Sequence, residues 1–172
     1  MSVAIVIASK HGSTREIGEE IARTLRHYGV GTTIFEAGDS VDLNDRTGVI
    51  IGSAVYVGKW MKEALTFVED HASQLQAMPV WLFSSGPIGE QEPSSSVDPV
   101  AIEALLRASG ARGHRIFSGK LDRAALSRTE RLATKLVRAP EGDFRDFEAI
   151  DEWSGEIASI LLAEREAARP TS

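Results

Sequence analysis

Val3-Ala4-Ile5-Val6-Ile7-Ala8, followed by Ser9-Lys10-His11-Gly12-Ser13-Thr14, decides the fold. The first six residues are continuously apolar and rich in β-branched side chains. A short run without polar alternation reads as a strand buried on both faces, which is the signature of a parallel sheet. The polar stretch with its glycine ends that strand. Ile17, Ile21, Leu25 and Tyr28 then recur at spacings of four, four and three, marking one face of a helix. Glu16, Glu19 and Glu20 fall in its first half and Arg23 and Arg26 in its second, as the helix dipole favours, and Gly29 stops it.

The same grammar repeats along the chain. Strands are predicted at 3–8, 31–36, 48–53, 79–85 and 113–118, with helical faces between them at Met61, Ala64, Leu65 and Val68 and at Ile102, Leu105 and Leu106. Pro99 opens the second of these helices and Gly110 closes it. A last helix carries Phe147, Ile150, Trp153, Ile157 and Leu161. Strand–helix alternation with connections of this length predicts right-handed crossovers in a parallel α/β sheet. We expect one domain over 1–163, with a basic helical insertion near 123–138, and a polar C-terminal tail at 164–172.

The chain has 172 residues, which suffices for one domain burying roughly 68–70% of its unfolded surface. Its 19 basic and 25 acidic residues give a formal charge of −6, spread along the chain. Nonspecific nucleic-acid binding, which needs a basic footprint, is disfavoured. Cysteine is absent, so there is no disulfide, thiolate nucleophile or cysteine-held cluster. His27, His71 and His114 lack a metal spacing, and no local hydrolase motif appears, although a triad assembled from distant residues stays open. No leader-like segment and no integral membrane segment is read. The expected setting is cytoplasmic, with peripheral contact at the inner face of a membrane left open.

In open parallel sheets ligands sit beyond the carboxyl ends of the strands, where strand order reverses. The first such loop offers Ser9, Ser13 and Thr14 as hydroxyl donors, Gly12 for close backbone approach, Lys10 as a cation, and a helix N-terminus. Orphan N–H groups and the dipole there suit a phosphate. The loop lacks the Gly-Lys-Ser/Thr ending of a triphosphate loop and the dinucleotide glycine fingerprint. A helix cap is the plainer use of the same hydroxyls. His11 either assists or faces solvent.

This loop and the Arg15-Glu16-Ile17 that follows resemble the flavodoxin-like family. Within that family the chain looks closest to the menaquinone-dependent protoporphyrinogen oxidase branch. Further matches are residues 52–58, Phe83 to Gly86, Phe117-Ser118-Gly119-Lys120-Leu121 and Gly142-Asp143-Phe144-Arg145-Asp146-Phe147. The resemblance implies a three-layer sandwich with a five-stranded parallel sheet in the order 2-1-3-4-5. It also implies noncovalent FMN, its phosphate held by Ser9, Lys10, His11, Gly12, Ser13 and Thr14. Ser53, Ala54, Val55, Tyr56, Val57 and Gly58 would flank one side of the isoalloxazine, and Ser84, Ser85, Gly86, Pro87, Ile88 and Gly89 the other.

The activity so implied is that of an FMN-dependent oxidoreductase. In the oxidase reading it takes reducing equivalents from protoporphyrinogen IX and passes them to a menaquinone-like acceptor, and Arg131 and Lys135 are candidate contacts for the anionic porphyrin. The alternatives are a small electron-transfer protein that serves a redox partner and has no organic substrate of its own, or an FMN-free interaction module. No catalytic acid or base and no metal ligand is assigned, and the oligomeric state is not read from the sequence. Trp81 and Trp153 read as core. Trp60 reads as a helix anchor or a ring stacker. Asp143, Arg145 and Asp146 read as a connector network or simply as an acidic helix start.

Overall fold

The computed structural model describes residues 1–86, 97–121 and 142–169. In chain order these form β1 (Ser2–Ala8), α1 (Ser13–His27), β2 (Gly31–Glu36), β3 (Gly48–Tyr56), β4 (Lys59–Trp60), α2 (Lys62–Asp70), α3 (Ala72–Leu75), β5 (Val80–Ser85), α4 (Pro99–Ser109), β6 (His114–Phe117), β7 (Lys120–Leu121), β8 (Gly142–Asp143) and α5 (Phe147–Ala167). Five strands form a parallel sheet in the order β2-β1-β3-β5-β6, which is the expected 2-1-3-4-5 once only parallel strands are numbered. The two additional pairings, β3 with β4 and β7 with β8, are antiparallel.

Alternation along the buried strands sends successive side chains to opposite helical layers. Val3, Ile5, Ile7, Ile50, Trp81 and Phe83 pack beneath α1 and α5, against Ile17, Ile21, Ile150, Trp153 and Ile157. Ala4, Val6, Val49, Ile51 and Leu82 face α2 and α4, against Ala64, Phe67, Ile102 and Leu105. Trp81 and Trp153 are both core, as the sequence suggests. Tyr28 departs from the predicted helix face: it is the C-cap of α1 and 47% exposed.

Two boundaries also differ from the sequence reading. β3 runs three residues past Ser53, because β4 pairs back onto its end at Val55↔Trp60 and Tyr56↔Lys59. α5 continues through Ala167, into the segment read as tail, where Glu164 pairs with Arg112 at 2.5 Å. The insertion near 123–138, with Arg131 and Lys135, lies outside the described residues, as do Pro87, Ile88, Gly89 and residues 170–172.

Candidate functional site at the carboxyl edge

β1 lies between β2 and β3, so the chain leaves it at the point where strand order reverses. The connection to α1 is short and tightly folded. The Gly12 N–H donates to Ser9 Oγ at 3.1 Å, and Gly12 takes φ +84 before the first helical residue. A Cβ at Gly12 would meet nothing within 4 Å, so the requirement for glycine is the left-handed backbone and not crowding. No side chain caps α1. Among the described residues these hydroxyls do not cap the first turn; Ser9 Oγ instead takes the Gly12 N–H just before the helix. Ser13 Oγ accepts the Lys120 N–H at 3.0 Å, which leaves its own proton for a ligand oxygen. Thr14 is buried at the base of the loop, Lys10 is exposed and His11 half-buried.

The second wall is the β3–β4 hairpin. Ser53 is buried, and its hydroxyl accepts from Met61 N at 2.9 Å and donates to Ala54 O at 2.8 Å. Tyr56 and Val57 stand at the tip, 44% and 100% exposed. Val57 and Gly58 have φ +50 and +77, the two consecutive positive angles of a primed type I turn. Val55 and Ala54 are half-buried on the strand below.

The third wall is the end of β5. Ser85 is buried, and Gly86 N donates to Phe117 O at 2.9 Å. Ser84 is fully buried and belongs to an internal chain: Trp60 Nε1 donates to Ser84 Oγ at 2.7 Å, and Ser84 Oγ lies 2.8 Å from His114 Nε2. An indole N–H only donates, so the Ser84 hydroxyl accepts it, and a second hydrogen bond links that hydroxyl to Nε2. Burial holds the His114 pKa down to about 4, so its imidazole is neutral at pH 7. The serine–histidine spacing matches a nucleophile–base pair, but a wholly buried hydroxyl is closed to substrate. Trp60 is thus an anchor whose indole is fixed inside the protein.

A ribbon of β7 and β8 closes over the first loop. Phe144 N donates to Gly119 O at 3.2 Å, beside the Lys120–Ser13 bond. Arg145, nearly buried, pairs with Asp143 and Glu16 at 2.5 Å each, and Lys120 Nζ lies 3.9 Å from Glu16. Its bonds to Arg145 hold the Asp143 carboxyl below its usual range. Asp146 caps α5 by accepting from Ala149 N at 3.0 Å. Both readings of the 143–146 stretch therefore apply, one to Arg145 and Asp143 and the other to Asp146. The sequence reading missed the Ser13–Lys120 bond and the His114 chain. No local spacing announces either one.

Among the described residues no group of His, Asp or Glu is placed to hold a metal, and no helix is long and apolar enough to cross a membrane. The candidate site is the sheet's carboxyl edge, where the start of α1, the β3–β4 hairpin and the end of β5 come together. This geometry defines a doubly wound α/β domain whose strand order reverses at the β1/β3 switch point. The sequence model of the flavodoxin domain matches residues 4–148, and the chain belongs to the flavodoxin family.

Solved structures agree on the fold. A flavodoxin from the domain Archaea has 17% identity and a TM-score of 0.65, covering 94% of this chain and 99% of its own. The two-electron reduced flavodoxin of Megasphaera elsdenii has 18% identity and a TM-score of 0.59, covering 91% and 98%. The flavodiiron core of Flv1 from Synechocystis has 18% identity and a TM-score of 0.62, covering 95% of this chain and 36% of that one. Among curated proteins no match is found.

Proposed function

We propose that this protein binds FMN noncovalently and carries electrons to or from a redox partner. The observation that supports this most directly is the uncapped start of α1 at the switch point, fed by the hydroxyl-rich loop. A phosphate there would accept from the first-turn N–H groups and from Ser13, with Ser9 and Gly12 shaping the loop, Thr14 at its base, and Lys10 and His11 at its rim. Tyr56, Val57 and Gly58 would flank one side of the ring, and Ser85 and Gly86 the other. The hydroxyls of Ser53 and Ser84 are engaged inside the protein and would act by fixing those walls. Bound flavin supplies two-electron or single-electron transfer chemistry. The chain's own residues would orient it and limit water.

The electron-carrier reading takes precedence over protoporphyrinogen oxidation. The family match and the structural relatives fit a carrier, and neither brings a porphyrin, menaquinone or other quinone to this chain. The absence of cysteine accords with a reducing, cytoplasmic setting.

Calorimetric titration of the apo protein with FMN, FAD and riboflavin tests the cofactor. FMN should bind most tightly, and FAD binding as tightly as FMN would refute the site. Anaerobic reduction of the loaded protein, followed by protoporphyrinogen with menadione, separates the two roles. Turnover of the porphyrinogen would reverse their order.

A further inference from the structure

The β3–β4 hairpin carries backbone strain at its turn. A β-branched residue at positive φ is strained, and Val57 at φ +50 is fully exposed, so no packing offsets the strain at the turn. Such a conformation persists only where its surroundings over-determine it. Two clamps do so. Gly58 O accepts the Asp98 N–H at 3.1 Å, which ties the turn to the start of α4. Trp60, paired with Val55 across the hairpin, drives its indole into the core and donates to Ser84. Ser84 lies two residues before Gly86, at the end of the opposite wall. One hydroxyl therefore joins both walls, and it is hydrogen-bonded in turn to His114 on β6.

We propose that His114 is a positioning residue for the flavin site: as the end of the Trp60–Ser84–His114 hydrogen-bond chain, it fixes the hairpin bearing Tyr56, Val57 and Gly58 against the end of β5. It sets affinity for the ring without touching the ring. This rests on the FMN reading above. Among the described residues the two groups recorded against the imidazole are uncharged. Ser84 approaches from β5, and the Trp60 ring from β4 stands at 6.4 Å between centroids, tilted 53°. Burial is what lowers the His114 basicity, so the imidazole stays neutral well below neutral pH.

The test uses the full chain in two states. Amide hydrogen exchange of the apo protein is compared for wild type, His114→Phe, His114→Gln and Ser84→Ala. His114→Phe and Ser84→Ala should speed exchange at residues 55–60 by about tenfold relative to β1, while His114→Gln, whose carboxamide can still hydrogen-bond to the Ser84 hydroxyl, restores protection. Titration then compares FMN with riboflavin. Both affinities should fall by the same factor, about 5- to 30-fold, because the loss is at the ring. Exchange that rises no more in the hairpin than in β1 overturns the proposal, as a purely structural role predicts that result. Unchanged riboflavin affinity in a variant with a loosened hairpin overturns it equally. Ser84→Ala keeps the question decidable if His114→Phe does not fold. A wild type that binds neither flavin refutes the FMN reading and with it the claim about ring affinity, while the exchange data alone still decide whether His114 holds the hairpin.

Discussion

Gly52→Ala should be among the most damaging single-methyl additions this protein can receive. Gly52 lies in the middle of the sheet, opposite Ile7 on one side and Phe83 on the other. A Cβ built there falls 2.1 Å from Phe83 Cζ, 2.3 Å from Cε1 and 2.7 Å from Cε2. Glycine in a strand interior often marks such a close approach. The Phe83 ring has no exposed surface and is hemmed in by Phe117 at 6.0 Å and Trp153 at 6.2 Å, so it cannot swing clear. Overpacking usually costs about 1–3 kcal/mol, and the confinement of this ring places the cost near 3 kcal/mol. For a chain of this size that lowers Tm by roughly 6–12 °C. Urea and thermal unfolding followed by circular dichroism measure it, with the urea m-value expected to hold. Phe83→Leu opens space on the same spot. The double variant should therefore be more stable than the sum of the single losses predicts, by about 1 kcal/mol or more. A cost below about 0.5 kcal/mol for Gly52→Ala, or strict additivity of the pair, would refute this account of the packing.

Three further outcomes are expected. Val57→Asn keeps the turn and relieves the strain of a β-branched residue at φ +50, so denaturation should show a gain of about 1 kcal/mol; a loss would mean that Val57 makes a contact its full exposure denies. His114 is neutral and depressed to about 4 in the fold, against 6.5 in the unfolded chain. Between those values the unfolded state binds more protons, so stability falls as pH drops from about 6.5 towards 4. The loss at pH 4 is about 1–2 kcal/mol after allowance for partial solvent screening, and His114→Gln should flatten that limb of an acid denaturation series. Thr14→Ala should weaken FMN by roughly 10- to 150-fold and riboflavin far less, since the lost hydrogen bond is to a charged group; equal losses by titration would place Thr14 outside the phosphate site.

Contiguous signals were readable in the sequence. The β1 run, the α1 periodicity and the hydroxyl-rich loop are adjacent in the chain, so an unbroken stretch of sequence identifies a strand, a turn and an anion-ready helix start. Strand order followed as an implication of family resemblance, and it stands in the structure. The β3–β4 hairpin was not visible, because Val57-Gly58 does not carry the Asn-Gly signature of a primed turn and residues 53–58 read as a loop. The β7–β8 ribbon pairs only two residues on each side, which is too short for any periodicity.

What the chain alone determined is the set of elements and the loop at their switch point, because apolar periodicity, glycine and capping preferences act over a few residues. What the tertiary structure decided is which distant groups meet. Trp60, Ser84 and His114 are 24 and 30 residues apart, and Arg145 reaches Glu16 across 129. Strand register and the packing of α5 on α1 bring them together. The physical reason is that a hydrogen bond or ion pair depends on separation in space, and separation along the chain carries no record of it until the sheet has chosen its order.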